Sequence, residues 1–349
     1  MTRILQAMAG ARHGGAEAFF GRLVVALERA GVEQVAAIRP APERRALLEA
    51  AGIPVTELRF GGRLDIVTRW RLARLIDRTR PDVVLAWMSR ASAALPKSPR
   101  HGRTFVKVGR LGGYYDLKYY AGCDHLVGNT LDIVDWIRAQ GWPADRAHYL
   151  PNFVDAMPAL PVARSSFGTP GDAPLFLALG RLHANKAFDV ALEAVAAVPG
   201  AWLWLAGAGP LEHDLKEQAR RLGIEGRMRF LGWRDDAAAL MATADFVLCP
   251  SRIEPLGNVV IEAWAHGRPV LAARAKGPES LIIDGENGLL VPLDDAPALA
   301  RAMARVVASP DLARSLAEGG RAAHLAQFAE AAVVAHWKAF LERVGACAA

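Results

Sequence analysis

The chain alternates short apolar runs with longer segments in which apolar residues recur every three or four positions. Short apolar runs are typical of strands buried on both faces of a parallel sheet, and the longer segments are typical of amphipathic helices. The predicted strands are residues 3–8, 35–38, 55–58, 83–87, 124–127, 175–179, 202–206, 228–231, 246–248, 270–273 and 289–291. The predicted helices include residues 16–30, 43–51, 64–78 and 329–344, and two that begin near 188 and 257. This alternation predicts an α/β protein with doubly wound parallel sheets.

The length of 349 residues exceeds that of one ordinary domain and fits two. We predict a first domain over residues 1–155 and a second over residues 175–328. The stretch between them, 156–174, is rich in Pro, Ala, Ser and Gly and lacks hydrophobic periodicity, which is typical of a linker. The segment after the second domain, 329–349, is predicted to hold a last helix.

The charge of the chain is unevenly distributed. Residues 1–150 carry a net charge of +9 and the remainder carries −3, which together give the +6 of the whole chain. Such asymmetry favours an anionic partner for the first half, such as a membrane surface, a phosphorylated acceptor or nucleic acid. The alternative is that the arginines of this half are only surface decoration.

The predicted helix 64–78 contributes strongly to that basic excess. It carries Arg69, Arg71, Arg74 and Arg78 together with apolar residues that include Trp70. A basic amphipathic helix of this kind can lie on anionic lipid. The alternative is that it covers a sheet, as most amphipathic helices do.

Cysteine usage and apolar segment lengths limit the class of protein further. The three cysteines are odd in number and form no C-x-x-C pair, so neither a disulfide framework nor a zinc site is predicted. No signal-peptide core is recognised, and no segment reaches the roughly 18 uncharged apolar residues of a membrane span. We therefore expect a cytoplasmic protein, with peripheral contact at the inner face of the cytoplasmic membrane left open.

Two glutamates, Glu254 and Glu262, flank a predicted strand-to-helix junction. The helix is expected to begin at Gly257. The unpaired N–H groups of its first residues, Gly257, Asn258 and Val259, can hold an anion such as a diphosphate. Carboxylates beside an anion site repel the phosphate but accept hydrogen bonds from sugar and ribose hydroxyls. This combination favours a nucleotide sugar as ligand.

Arg181 and Lys186 follow the strand 175–179. Side chains at the carboxyl end of a strand in a doubly wound sheet can converge on a diphosphate. The alternative is that both are solvated cations on a loop.

The glutamate pair lies within a longer pattern. Glu254 and Glu262 are followed by Gly267-Arg268-Pro269-Val270 and then by the segment Asp284-Gly285-Glu286-Asn287-Gly288. The whole pattern resembles the signature of retaining glycosyltransferases of family 4. This resemblance implies the GT-B fold, in which two Rossmann-like domains face a central cleft, and it implies transfer with retention at the anomeric carbon.

The resemblance also implies roles for individual residues. Glu254 would hold the hydroxyls of the donor sugar and Glu262 the ribose, while Arg181 and Lys186 would stabilise the departing diphosphate. The catalytic residues would therefore be Glu254, Arg181 and Lys186. The last helix would cross back onto the first domain.

The loop after the first strand contains Gly14 and Gly15. It has the strand, turn and helix of a Rossmann opening but lacks the G-x-G-x-x-G spacing, so a dinucleotide cofactor is not predicted. In family 4 the equivalent Gly-Gly loop approaches donor and acceptor, which implies this role for Gly14 and Gly15. Glycines in a tight turn need no such function.

The chain departs from the family pattern at several positions. Arg110 stands near the position where many members have a histidine or an acidic residue, and Ala187 replaces the usual glycine after the lysine. Arg110, with Tyr114 and Tyr115, is predicted to contact the acceptor, although the tyrosines could equally be packing residues. Trp233 is predicted to lie beside the nucleotide base, with structural packing as the alternative.

No metal and no cofactor is expected, since cations already face the phosphate and no D-x-D motif follows a strand. The expected partners are a nucleoside diphosphate sugar and a cell-envelope glycan or glycolipid acceptor, the lipopolysaccharide core being favoured, and not nucleic acid. Alternatives are a nucleotide-sugar epimerase, a phosphorylase of GT-B architecture, or a non-catalytic protein that binds sugar nucleotides or lipid surfaces. A phosphorylase using pyridoxal phosphate would need a Schiff-base lysine, and Lys276 lies in no recognisable motif for it.

Overall fold

The computed structural model describes residues 2–11, 15–62, 65–96, 104–154 and 159–346. The strands are β1 (Arg3–Met8), β2 (Glu33–Ile38), β3 (Val55–Glu57), β4 (Val83–Trp87), β5 (Val106–Leu111), β6 (His125–Gly128), β7 (Ala147–Tyr149), β8 (Leu175–Leu179), β9 (Trp202–Ala206), β10 (Met228–Gly232), β11 (Phe246–Cys249), β12 (Val270–Ala273) and β13 (Leu289–Val291). The helices are α1 (Gly15–Arg29), α2 (Pro42–Ala50), α3 (Ile66–Thr79), α4 (Met88–Ala94), α5 (Leu131–Ala139), α6 (Phe188–Ala196), α7 (Glu212–Arg221), α8 (Ala237–Thr243), α9 (Asn258–Ala265), α10 (Lys276–Leu281), α11 (Ala296–Ala308), α12 (Pro310–Gln327) and α13 (Glu330–Gly345).

The chain folds into two compact units. Unit 1 comprises Met1–Asn152 and Glu330–Ala349, and unit 2 comprises Phe153–Ala329. In the part of the chain that the structure describes, each unit contains one sheet, and every pairing between its neighbouring strands is parallel. The prediction of doubly wound parallel sheets is therefore confirmed.

The sheet of unit 1 has seven strands in the order β3-β2-β1-β4-β5-β6-β7. The direction of the strand order reverses between β1 and β4, so the carboxyl ends of these strands form a topological switch point. Trp87 ends β4 there and is completely buried against Phe19 and Phe20 of α1. Helix α13 also belongs to this unit, where the ammonium group of Lys338 donates to the Ala30 carbonyl at 2.7 Å.

The sheet of unit 2 has six strands in the order β10-β9-β8-β11-β12-β13. Alternate residues of β8 face opposite sides, as the two-residue period of a strand requires. Phe176 and Ala178 join a core with α6 and α11, whereas Leu175 and Leu177 join a core with α8 and α9. Both faces of the sheet are thus covered, which explains the uninterrupted apolar runs of its strands.

The stretch 156–174 has the composition of a linker, yet its described part, residues 159–174, packs on unit 2. The indole N–H of the buried Trp204 donates to the Thr169 hydroxyl at 2.9 Å, and the Arg164 guanidinium contacts Asp245 at 2.6 Å. Composition predicts the irregular backbone, but it carries no information on these side-chain contacts.

Helices α4 and α5 are among the elements that the hydrophobic pattern does not predict. Helix α4 begins at Met88, directly after β4, and Met88 has a positive φ of 62°. A strand that passes into a helix with no loop residue has no turn signal in the sequence. Among the described residues, none of the helices has the length and apolar character needed to cross a membrane.

Candidate functional site

The loop after β8 begins at Gly180 and is held by the neighbouring loop after β9. Gly180 donates its N–H to the Ala206 carbonyl at 3.0 Å, and Leu182 donates to Ala208 at 3.1 Å. A Cβ on Gly207 would lie 1.8 Å from the Gly180 oxygen, so only glycine permits this close approach. The loop that carries Arg181 and Lys186 is therefore hydrogen-bonded to the loop after β9 and packs closely against it.

Lys186 ends a short 3₁₀ helix, Ala184–Lys186, in this loop. The next residue, Ala187, is buried and has a left-handed conformation with φ of 50°. That conformation is easiest for glycine, the residue that the family resemblance predicts at this position. This chain keeps the backbone conformation without the glycine.

Lys186 and Glu254 form an ion pair between the loops after β8 and β11. The ammonium Nζ of Lys186 donates to Oε2 of Glu254, and Glu254 is buried, with only 9% of its surface exposed. The other carboxylate oxygen accepts from the Gly257 N–H at 3.4 Å. The structure thus brings together two residues that lie far apart in the sequence.

Helix α9 begins directly beside this ion pair. Gly257 has a positive φ of 70° and caps the helix, and its carbonyl accepts from Val260 and Ile261. Within the described residues, the N–H groups of Asn258 and Val259 have no backbone acceptor. The sequence predicts that the N–H groups of Gly257, Asn258 and Val259 hold an anion. The prediction is wrong for Gly257, whose N–H donates to the Glu254 carboxylate, and it stays a prediction for Asn258 and Val259.

Glu262 lies four residues after Asn258 in α9, and so the two side chains share one face of the helix. Glu262 is half-buried, whereas Asn258 is exposed. The arrangement leaves a carboxylate one helical turn away from the free amides.

Helix α10 packs against the loop that carries Glu254. Gly277 donates its N–H to the Glu254 carbonyl at 2.7 Å, and a Cβ on Gly277 would lie 2.4 Å from that oxygen. The absence of a side chain at Gly277 therefore fixes how closely the two segments pack.

Arg181 and Trp233 follow the carboxyl ends of β8 and β10. Arg181 is exposed and has no ion-pair partner in the part of the chain that the structure describes. Trp233 is 76% exposed, and its indole N–H donates to Asp235 at 3.0 Å. Because the strands are parallel, Arg181, Lys186, Trp233 and Glu254 all lie at one edge of the sheet.

Cys249 ends β11 close to Glu254. Burial, with the Glu254 charge as a second cause, raises the pKa of its thiol to about 11. The thiol is therefore neutral at physiological pH and is not a nucleophile. Among the described residues, no group of three or more His, Cys, Asp or Glu side chains is arranged to hold a metal ion.

Arg110 lies in unit 1 and is only 1% exposed. Its guanidinium stacks over Trp87, 4.4 Å from the ring centroid, and donates to the Asn152 amide oxygen, while Nε has no partner among the described residues. Burial lowers the pKa of Arg110 to about 9. The sequence predicts an accessible contact here, but the described structure encloses Arg110, and its role toward an acceptor stays a prediction.

The glycine pair of the first loop is only partly described. Gly15 begins α1 and is exposed, and a Cβ added there would meet no atom within 4 Å. Gly14 lies outside the described residues. Tyr114 is exposed and donates to Asp132, and Tyr115 is partly buried with its hydroxyl 4.0 Å from the Met88 sulfur.

Sequence reasoning missed the side chain that joins the loops of Lys186 and Glu254. This is Arg252, which contacts Asp189 and Asp294. The available signal was its position two residues before Glu254, but an arginine on a loop is ordinarily interpreted as a solvated charge.

Comparison with known proteins gives matches over both units. Residues 173–309 match the family described as Glycosyl transferases group 1, and residues 13–157 match Glycosyltransferase Family 4. The lipopolysaccharide core biosynthesis glycosyltransferase LpsE of Rhizobium meliloti (strain 1021) is 39% identical over 324 residues, covering 92% of this chain and 94% of that protein.

Solved structures with the same fold cover nearly the whole chain. The crystal structure of Anabaena HepE in complex with UDP has a TM-score of 0.81 at 21% identity, covering 98% of this chain and 100% of the other. A complex of HepE with UDP-glucose has a TM-score of 0.73 at 20% identity, with the same coverage. The apo form of the lipopolysaccharide outer core galactosyltransferase WaaB has a TM-score of 0.76 at 18% identity, covering 97% of this chain and 98% of the other.

Proposed function

Because the chain belongs to the group 1 and family 4 glycosyltransferases, we propose that it moves a sugar from a nucleoside diphosphate sugar to an acceptor hydroxyl with retention of anomeric configuration. That the protein is a glycosyltransferase with the two parallel α/β sheets of the GT-B class follows from the family and the fold. The donor, the acceptor and the stereochemical course are the proposal.

The observation that carries the proposal is the ion pair of Lys186 and Glu254 at the amino end of α9. A diphosphate beside Lys186 and the amides of Asn258 and Val259 would meet positive charge and free N–H donors. Arg181 would reach the same anion from its exposed position. These groups stabilise the negative charge that grows on the leaving diphosphate, an effect worth a few kcal/mol for each donor.

Glu254 would then bind hydroxyls of the donor sugar, and Glu262 would bind the ribose. The acceptor oxygen forms its bond to the anomeric carbon on the face from which the diphosphate leaves. The acceptor proton passes to the departing phosphate oxygen, so the products are the glycoside and a nucleoside diphosphate. Trp233, exposed at the end of β10, would cover the base.

The relative LpsE, which is named as a lipopolysaccharide core biosynthesis glycosyltransferase, supports a cell-envelope acceptor of the lipopolysaccharide core type. The uridine nucleotides are the first donors to test, since HepE structures contain UDP and UDP-glucose. The inference about the acceptor and the inference about the nucleotide of the donor are independent of each other.

The function is tested by thermal unfolding of the protein with millimolar UDP, GDP and ADP and their glucose conjugates, followed by release of nucleoside diphosphate. We expect one base series to raise Tm by several degrees through preferential binding to the folded state, and slow hydrolysis of its sugar conjugate. A shift without any release, with acceptor glycolipid present, would identify a non-catalytic binder. No shift with any nucleotide would contradict the proposed donor site.

We also propose that α3 contacts an anionic membrane surface. Its outer face exposes Ile66 (75%) and Trp70 (47%) among several arginines, and the Arg74 guanidinium lies 4.8 Å from the centroid of the Trp70 ring. Apolar side chains surrounded by arginines suit the boundary between lipid headgroups and acyl chains. The exposed arginines of α3 are Arg69, Arg71, Arg74 and Arg78.

Co-sedimentation with vesicles measures this contact. We expect binding to phosphatidylglycerol vesicles at low salt, weak binding to phosphatidylcholine vesicles, and a loss of roughly five-fold or more in the double variant Ile66→Ser, Trp70→Ser, because both apolar contacts are removed. Leu325→Ser, which replaces an exposed leucine of unit 2, is the matched control. Equal binding by the double variant and the control would show that α3 is not the contact.

A further inference from the structure

One arginine side chain joins three loops at the carboxyl edge of the unit 2 sheet. Arg252 lies on the loop after β11, two residues before Glu254. Its guanidinium reaches the segment that follows β8 and the segment that follows β13.

The contacts of Arg252 with the β8 segment are bidentate. Nη1 and Nη2 donate to the two carboxylate oxygens of Asp189 at 3.0 and 2.7 Å. Nη1 also donates to the Ala184 carbonyl at 2.8 Å. The planar guanidinium can make these contacts together, whereas a lysine ammonium could not match the same fork.

These contacts bracket Lys186 in sequence. Ala184 begins the 3₁₀ helix that ends at Lys186, and Asp189 lies in the first turn of α6. The segments before and after Lys186 are thus both bound to Arg252, which lies two positions before Glu254. The backbone N–H groups of Arg252 and Ile253 add bonds to the Asn185 carbonyl at 2.9 and 3.2 Å.

The third contact fixes Arg252 itself. Nε donates to Asp294 at 2.5 Å, and Asp294 has a left-handed conformation with φ of 57° on the loop after β13. The guanidinium therefore has acceptors on two different carboxylates. Its orientation is determined by both, and it cannot rotate away from Asp189 without losing Asp294.

We propose that Arg252 is a positioning residue that sets the separation between Lys186 and Glu254, and that it does so through Asp189 and Asp294. The proposal rests on the proposed function for its effect on turnover. Partly exposed ion pairs contribute little to the free energy of unfolding. We therefore expect the loss of Arg252 to change mainly the geometry of the site. A displacement of about 1 Å at a catalytic group can lower the rate about 100-fold.

The first measurement is hydrogen exchange of the free protein, which needs no ligand. We expect peptides covering residues 180–190 to exchange roughly five-fold faster or more in Arg252→Ala, because the contacts to Ala184 and Asp189 are lost. Arg314→Ala, which removes an exposed ion pair to Asp311 in α12, is the matched control and leaves this segment unchanged. Unchanged exchange in folded Arg252→Ala overturns the proposal.

The second measurement is release of UDP from UDP-glucose by Arg252→Ala, Arg252→Lys, Lys186→Ala and the double variant Arg252→Ala, Lys186→Ala. We expect Arg252→Ala to lower kcat about 10- to 100-fold with a smaller change in KM, and Arg252→Lys to be intermediate. If Arg252 acts through Lys186, the double variant is no slower than Lys186→Ala alone.

Multiplicative losses in the double variant would overturn the proposal, since Arg252 would then act independently of Lys186. The wild-type protein could release no UDP while residues 180–190 still exchange faster in Arg252→Ala than in the wild type. That result would support the positioning contact and contradict UDP-glucose as the donor. The two hypotheses therefore fail in different measurements.

Discussion

Replacing Lys186 by methionine is expected to lower kcat for sugar transfer about 100- to 1,000-fold, the usual effect of removing one group that stabilises developing charge. The ammonium group is the cation paired with Glu254 at the amino end of α9. Methionine keeps most of the side-chain volume, so the space beneath Gly180 remains filled. The measurement is the initial rate of nucleoside diphosphate release with saturating donor.

Lys216→Met provides the matched control, because Lys216 forms an exposed ion pair with Glu212 one turn away in α7. Its rate is expected to equal that of the wild type. Lys186→Met also leaves the Glu254 carboxylate buried without its cation, and a loss of about 1–3 kcal/mol in the free energy of unfolding is expected. Rates are therefore compared at temperatures where both variants are folded. A fully active Lys186→Met protein would refute a role for this cation in departure of the diphosphate.

Replacing Gly277 by alanine is expected to lower donor affinity roughly ten-fold or more and the free energy of unfolding by about 1–3 kcal/mol. The added Cβ would lie 2.4 Å from the Glu254 carbonyl oxygen and 2.8 Å from the Gly257 nitrogen. Both atoms belong to backbone, which cannot move aside as a flexible side chain can. The segment carrying Glu254 and the start of α9 must therefore shift.

The measurement for Gly277→Ala is the nucleotide concentration that gives half of the maximal Tm shift, together with urea unfolding. Gly226→Ala is the control, since a Cβ at Gly226 would meet no atom within 4 Å and its φ is not in the left-handed region. Equal nucleotide affinity in the two variants would show that the close packing of α10 on the Glu254 loop has no part in donor binding.

Eleven of the thirteen described strands could be predicted, whereas β5, which contains Lys107 and Arg110, and the three-residue β7 were not. The predicted strands at 83–87, 175–179 and 270–273 coincide with β4, β8 and β12. Each is an uninterrupted apolar run bounded by Asp or Pro on its amino side, and such runs have few competing interpretations. Helix α4 escaped prediction because its start at Met88 depends on a positive φ that no residue type there signals.

The candidate site could be predicted as a set of residues, but not as an arrangement. The spacing of Glu254 and Glu262 and the position of Lys186 after β8 are visible in the sequence. The pairing of Lys186 with Glu254 joins residues 68 positions apart and needs the order of the strands, since β8 and β11 are neighbours in the sheet.

Burial of charge was the other property that the pattern could not give. Arg110 lies in a strand, and hydrophobicity alone would assign its side chain to solvent. Its enclosure depends on the faces of Trp87 and Phe19, which accept a guanidinium by cation–π attraction. Trp233 shows the reverse, since a large apolar residue is exposed at the sheet edge.

The contacts of residues 159–174 decide where unit 2 can be separated as a fragment. A fragment that starts at Leu175, where the sheet begins, would leave the buried Trp204 indole without Thr169 and Asp245 without Arg164. Val154 also donates to the Phe328 carbonyl at 3.0 Å, which ties the start of the unit to the end of α12. The natural excision points are therefore Phe153 and Ala329, and a cut made at the first strand would remove part of the domain's own packing.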